Sequence, residues 1–248
     1  MSNALITGAS RGLGLALARA LAGRGWTLVV DARDPVVLAE AAKALRGLGA
    51  AVTALPGDVA DPDHRRALAA AVDAAGSLDL LVNNASTLGL VPLPPLADHR
   101  VELLAEAYAV NVFAPLDLIR LGLPALRSAR GTVIDVSSDA AVEAYPGWGG
   151  YGSAKAALDR LTAVLAVEEP SIAWYAVDPG DMRTELHALA VPDEDPAGLT
   201  PPEDVVPALL RLLDKRPPSG RYTASGLLSG PQAGLHVAAP STLPEAVR

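Results

Sequence analysis

A chain of 248 residues suits one α/β domain and is too short for two generous domains with a linker. Half of the residues are apolar and 19% are charged, which excludes a disordered chain; with aromatics at 4%, the core has to be built mostly from Ala, Leu and Val. The formal charge of -8 argues against a general nucleic-acid or anionic-membrane surface, the lack of cysteine removes disulfides and thiol chemistry, and His64, His99, His187 and His236 show no metal-ligand spacing.

The N-terminus enters an apolar strand after Met1-Ser2-Asn3 without the features of a secretory signal. No apolar run approaches the ~20 residues of a membrane helix, so a cytoplasmic enzyme is expected. Short apolar runs recur at 4–7, 27–31, 51–55, 78–82, 132–136, 172–177 and 221–224, with helical periodicity between them, as at 14–22 and 36–48. This alternation predicts an α/β fold: a Rossmann-type, doubly wound, seven-stranded parallel sheet with helices on both faces, in three layers. One domain over 1–228 is expected, with a lid at about 181–202 and an extended tail at 229–248.

The first run leads into Thr7-Gly8-Ala9-Ser10-Arg11-Gly12-Leu13-Gly14 and then an Ala/Leu helix. Glycines there permit a tight strand-to-helix turn, close approach of a pyrophosphate, and amides aimed at it from the helix start. The spacing is Gly-x3-Gly-x-Gly, so the dinucleotide fingerprint Gly-x-Gly-x-x-Gly is not matched literally. A glycine turn that merely reverses the chain is the bland alternative. At the end of the second run, an acid would accept bonds from an adenosine ribose and an Arg would suit a 2'-phosphate. Asp31 and Ala32 face opposite ways in a strand, and Ala32 with Arg33 is expected to face the ribose, Arg11 completing a two-pronged clamp.

Further along, Pro115 follows Asn111 by four residues in what reads as one helix from 99 to 127. Proline cannot donate to the carbonyl of residue 111, which predicts a kink and a free carbonyl able to hold a relay water. The run 132–136 ends in Ser137-Ser138, where ligands of open α/β sheets bind; a hydroxyl there either holds a substrate oxygen or caps a turn. Tyr151 and Lys155 are four apart and share a helix face, so an ammonium can favour the ionised phenol and make it a proton donor or acceptor. Val142, Tyr145 and Trp148, lying between Ser138 and Tyr151, are candidate walls of an apolar substrate pocket, or packing residues over it.

In order, the turn 7–14, Asn83-Asn84-Ala85, Ser138, Tyr151-x3-Lys155 and Pro179-Gly180 resemble the motif series of the short-chain dehydrogenase/reductase family, over nearly the whole chain from Leu5 to about Ala224. The resemblance implies an NADP(H)-dependent oxidoreductase interconverting a carbonyl and an alcohol on a small substrate. Tyr151 would be its acid/base, Ser138 would orient the substrate oxygen, Lys155 would hold the nicotinamide ribose and lower the tyrosine pKa, and Asn111 would be the fourth catalytic residue. By the same resemblance the cofactor-binding set is Gly8, Ser10, Arg11, Gly12, Leu13, Gly14, Arg33, Asp58, Val59, Asn83, Ala85, Tyr151, Lys155, Pro179, Gly180, Met182 and Thr184, with no metal. Family members commonly pair through the helices carrying Asn111 and Tyr151. Apolar residues at Leu116, Leu118, Ile119, Leu123, Leu158, Leu161 and Val164 therefore suggest a homodimer or homotetramer.

Two departures stand out. Ser86 occupies the place where the family usually has glycine, and the 168–171 loop is clipped. Two other readings are an NADP(H)-binding sensor on the same fold, against which the complete Ser138/Tyr151/Lys155 set argues, and another nucleotide-binding α/β enzyme such as a methyltransferase, against which Ala32 argues.

Overall fold

The computed structural model describes residues 2–229 and the pair 235–236. Seven strands form one parallel sheet: β1 (Asn3–Ile6), β2 (Thr27–Ala32), β3 (Val52–Pro56), β4 (Leu80–Asn83), β5 (Thr132–Val136), β6 (Ala173–Asp178) and β7 (Gly220–Thr223). Their order is β3-β2-β1-β4-β5-β6-β7, and a two-residue antiparallel strand, β8 (Leu235–His236), follows β7 at the edge. The expected tail lies outside the described residues apart from this pair and Ser229, which closes the helix after β7. β1 pairs with β2 on one side and β4 on the other, so the connections diverge between β1 and β4 and open a crevice at their carboxyl ends.

Helices α1 (Gly12–Gly23), α2 (Pro35–Gly47) and α8 (Pro202–Lys215) bury Leu17, Leu21, Leu45 and Leu209 with one face of the sheet. Helices α3 (Pro62–Ala75), α5 (Ala114–Ala129) and α6 (Gly149–Glu168) cover the other, where Leu68, Val72, Leu118 and Leu126 are buried. Strand β6 shows why the central strands carry no polar alternation. Trp174 packs into the second layer and its neighbour Tyr175 into the first, both without exposed surface. Edge strand β3 is the exception, being only partly buried.

Local signals fix the helix starts. Asp34 and Asp61 each accept backbone N–H bonds at an N-cap, with proline in the first turn behind them. α1 has Arg11 at its N-cap and no side-chain cap, so its first-turn amides are left for another acceptor.

The expected single helix from 99 to 127 is instead three pieces. α4 (Val101–Tyr108) passes into a π-turn, Ala109–Phe113, and then α5. A π-turn widens the ring by one residue, and Pro115 follows it in the first turn of α5, where its missing N–H is tolerated. The run Val101–Ala129 is long and apolar enough to cross a membrane, contrary to the expectation that no run approaches that length. Leu118, Ile119 and Leu126 nevertheless spend it on the core. The same burial removes Leu118, Ile119 and Leu158 from the expected oligomer surface; Leu116, Leu123 and Leu161 are half-buried, and Phe113 and Val164 are exposed.

Candidate active site

A cleft of about 940 Å³ runs along the carboxyl ends of the strands, from Arg33 and Asp58 at one end to Trp148 and Leu186 at the other. Its floor begins with the turn after β1. Gly8 and Gly12 adopt φ of +64° and +55°, where a side chain would be strained. A Cβ on Gly14 would lie 2.5 Å from Asn84 Nδ2 and 2.6 Å from the Gly8 carbonyl oxygen, so helix and turn approach as closely as glycine allows. With Ser10, Arg11, Gly12 and Leu13 on the cleft wall and uncapped amides at the start of α1, the cradle fits a pyrophosphate.

Asp31 is 1% exposed at the cleft floor, next to Ala32 and Arg33. Its Oδ1 accepts the Gly8 N–H at 2.8 Å and its Oδ2 meets His64 Nε2 at 3.0 Å, while burial holds its carboxyl above the usual range. Arg33 is exposed on the cleft wall beside Ala32. Arg11 is paired with Glu185 across the mouth. Asp58 and Val59 line the same end.

After β4 the neighbouring asparagines separate. Asn83 is buried, donates to Asp135 Oδ1 at 2.7 Å and does not line the cleft, contrary to its expected place beside the cofactor. Asn84 and Ala85 do line it, and Asn84 Nδ2 donates to the carbonyls of Thr7 and Gly8, tying β4 to the glycine turn. Strand alternation, which separates Asp31 from Ala32, also separates these two.

Tyr151 and Lys155 lie one turn apart on α6, both buried, with the Lys155 nitrogen 5.5 Å from the phenol ring centroid. Lys155 Nζ donates to the Val136 carbonyl at 2.7 Å. Burial pushes the Tyr151 phenol up to about 12, partly offset by the Ser86 and Ser138 hydroxyls that face it. Burial also brings the Lys155 ammonium down to about 8, against the pull of Asp159 and Asp135. The expected lowering of the tyrosine pKa is therefore absent here: burial dominates, and the Asp139 and Asp178 charges add to it. At neutral pH the phenol keeps its proton.

Ser138 caps a short 3-10 turn, Asp139–Ala141, accepting from Ala140 N at 3.2 Å and donating to Asp139 Oδ1 at 2.9 Å. That turn carries the following residues outward. Val142 and Tyr145 are 59% and 44% exposed and do not line the cleft, contrary to expectation, and the Tyr145 hydroxyl donates to Asp139 Oδ2. Trp148 does line it, edge-on to Tyr151 at 5.8 Å. With Leu88, Leu93, Leu186 and Ala190 it makes an apolar wall.

Asn111 is 1% exposed in the π-turn, its side chain bonded to Ser86 and Thr87. Pro179, Gly180, Met182 and Thr184 line the roof. Over the expected lid range, Met182 bridges to Thr200, and α7 (Glu185–Ala190) lies between them with Thr184 as its N-cap. Beneath the site, Arg221 donates to the Ser138 carbonyl and pairs with Asp159. Nothing local in the sequence marks Arg221, because its partners Asp159, Ser138 and Asp178 are brought to it by the fold; Asp139 is bonded by its own neighbours Ser138, Ala140 and Tyr145.

The family model for short chain dehydrogenases matches residues 2–195. The chain is 35% identical to sepiapterin reductase of Rattus norvegicus over 199 residues, 75% of this chain and 76% of that one. It is 31% identical over 214 residues to an (S)-benzoin-forming benzil reductase of Saccharomyces cerevisiae, 79% of this chain and 78% of that one. Among solved structures, an alcohol dehydrogenase from the archaeon Thermococcus sibiricus, complexed with 5-hydroxy-NADP, superposes with a TM-score of 0.81 at 27% identity, covering 90% of this chain and 95% of that one. The glycine cradle at the sheet's switch point, the buried tyrosine–lysine pair and a family match over most of the length agree: the chain belongs to the short-chain dehydrogenase family.

Proposed function

We propose that the protein interconverts a carbonyl and an alcohol on a small, apolar substrate, using NADP(H). The observation that carries this reading is the Tyr151 phenol, buried with the Lys155 nitrogen 5.5 Å from its ring, at the apolar end of a cleft that is continuous with the glycine cradle. NADPH supplies a hydride to the carbonyl carbon when bound, and NADP+ takes one back in the reverse direction. Tyr151 gives its proton to the carbonyl oxygen, and in reverse accepts one from the alcohol. Lys155 meets the developing phenolate with positive charge, and Ser138 holds the substrate oxygen. Asn111 supports a proton path to Lys155 through its main-chain carbonyl.

The amides and glycines from Gly8 to Gly14 would hold the pyrophosphate, Arg11 and Arg33 the 2'-phosphate, Asp58 and Val59 the adenine, and Pro179, Gly180, Met182 and Thr184 the carboxamide and phosphates. Ala85 would lie beside the ribose. Trp148, Leu88 and Leu186 favour an aromatic or aliphatic carbonyl. We place the enzyme in the cytoplasm as a homo-oligomer paired through α5 and α6. The test is NADPH consumption with a panel of aryl and alkyl ketones and aldehydes. Turnover that disappears in Tyr151→Phe, with NADPH binding retained, supports the reading; no turnover across the panel, or full turnover in that variant, overturns it.

A further inference from the structure

The glycine cradle is braced by a side chain that does not itself line the cleft. His64 stands in the first turn of α3 and is buried. Its Nε2 lies 3.0 Å from Asp31 Oδ2, and Asp31 Oδ1 accepts the Gly8 N–H at 2.8 Å, so a chain of two bonds runs from α3 through the end of β2 to the turn after β1. A carboxylate only accepts, so the imidazole carries a hydrogen on Nε2. The ring is confined as well. A Cβ on Gly57 would lie 2.3 Å from Nδ1, so the ring rests against bare backbone, and the Gly57 N–H is tied to the Ala32 carbonyl at 3.0 Å. Arg65 anchors the same helical turn, with Nη1 donating to the Val59 carbonyl and Nε to Asp117 Oδ2, each at 2.6 Å.

We infer that His64 is a positioning residue for the nucleotide, holding the Gly8 turn, through Asp31, in the shape that receives the pyrophosphate. This rests on the cradle as the nucleotide site and not on the carbonyl chemistry. Gly8 sits at φ +64°, a conformation that glycine tolerates but does not enforce. Asp31 enforces it: its carboxylate takes the Gly8 N–H and its main-chain carbonyl takes the Ala9 N–H at 2.9 Å.

Without the imidazole donor, a carboxylate that is 1% exposed keeps an oxygen with no partner. It must then shift or take up a proton. A shift drags the Gly8 bond with it, and a protonated carboxyl is a weaker acceptor for the same N–H. Either change reaches the turn, whereas a residue that merely filled the space beside Gly57 would leave it alone.

The test is titration of the full chain with NADPH, followed by the fluorescence of the bound nucleotide. His64→Leu, which keeps much of the bulk and loses the donor, is expected to weaken NADPH about tenfold, the loss of one charge-assisted bond. His64→Gln, whose amide nitrogen puts a donor near the place of Nε2, should bind close to the parent. In an Asp31→Ala background, where the carboxylate is gone, His64→Leu should cost nothing further. Parental affinity in His64→Leu, equal losses in His64→Gln and His64→Leu, or losses that add in the double variant overturn the inference. If His64→Leu does not fold, His64→Met takes its place in each comparison. No carbonyl enters the titration, so it is decided separately from the proposed reaction.

Discussion

The carboxylate of Asp31 accepts the Gly8 backbone N–H at 2.8 Å. The one acid at the end of β2 is thereby committed to the phosphate turn and to His64, not to a ribose. Two variants separate these roles. Arg33→Ala should weaken NADPH by about 1.5 kcal/mol, the low end for a charge-assisted bond at an exposed residue, and leave NADH unchanged. Asp31→Ala should weaken both nucleotides alike, because it leaves the Gly8 amide unpaired and loosens the turn. Fluorescence titration with each nucleotide reads both outcomes; selective loss of NADH in Asp31→Ala would return the ribose to Asp31.

Asp135 is fully buried, and burial pushes its carboxyl up to about 6 in spite of bonds from Thr162 and Asn83. Between about pH 4 and pH 6 the folded chain holds a proton that the unfolded chain has released. This group's contribution to stability is therefore greatest at low pH and falls as pH rises through that window, by about 3 kcal/mol in all. Asp135→Asn removes the charge and can keep both partners: Oδ1 accepts from Asn83, and Nδ2 donates to Thr162, whose own hydrogen already has the Leu158 carbonyl. Urea unfolding across the window should show the variant's gain over the parent growing as pH rises, to about 2 kcal/mol at neutral pH. A gain that shrinks as pH rises would mean that the ionised carboxylate is favoured.

Arg221 reaches Asp159 at 3.0 Å and the Ser138 carbonyl at 2.8 Å, with only 16% of its side chain exposed. Arg221→Met keeps the bulk, strands the Asp159 carboxylate and frees the backbone of Ser138. A loss of about 3 kcal/mol is expected, as for breaking a largely buried ion pair. A thermal midpoint within a degree or two of the parent would show that water takes over the pairing.

These cases mark what the sequence made legible. The glycine turn, the Tyr151/Lys155 face and six interior strands are carried by spacing within a few residues, where helix and strand periods act directly. Arg221 and Ser138 are 83 residues apart, and Asp135 and Thr162 are 27 apart, so those bonds exist only once the sheet has formed. The π-turn at Asn111 was half legible: Pro115 announced a defect, but whether a helix answers by kinking or by widening depends on packing around it. Val142 and Tyr145 were misplaced because sequence position between two site residues says nothing of the direction in which a 3-10 turn sends the chain.

Glu185 on the roof pairs with Arg11 on the floor, and both are more than half exposed. Such a pair is worth at most about 1 kcal/mol in water, so an arriving phosphate can displace it. Glu185→Gln should tighten NADPH no more than about fivefold, with the gain shrinking as salt is raised. Isothermal titration at low and high ionic strength measures this; weaker binding in the variant would instead make Glu185 part of the nucleotide site.

The bridge between Met182 and Thr200 pins the two ends of the roof segment together. Chain length added or removed between them changes a closed loop whose anchorage stays put, and lengthening such a loop costs little in closure entropy. The strand ends then keep their places, and the change reaches the glycine cradle through Glu185, which pairs with Arg11. Insertion and deletion beyond Glu185 in this one segment can therefore reshape the apolar end of the cleft while Tyr151 and Lys155, held on α6, stay where they are.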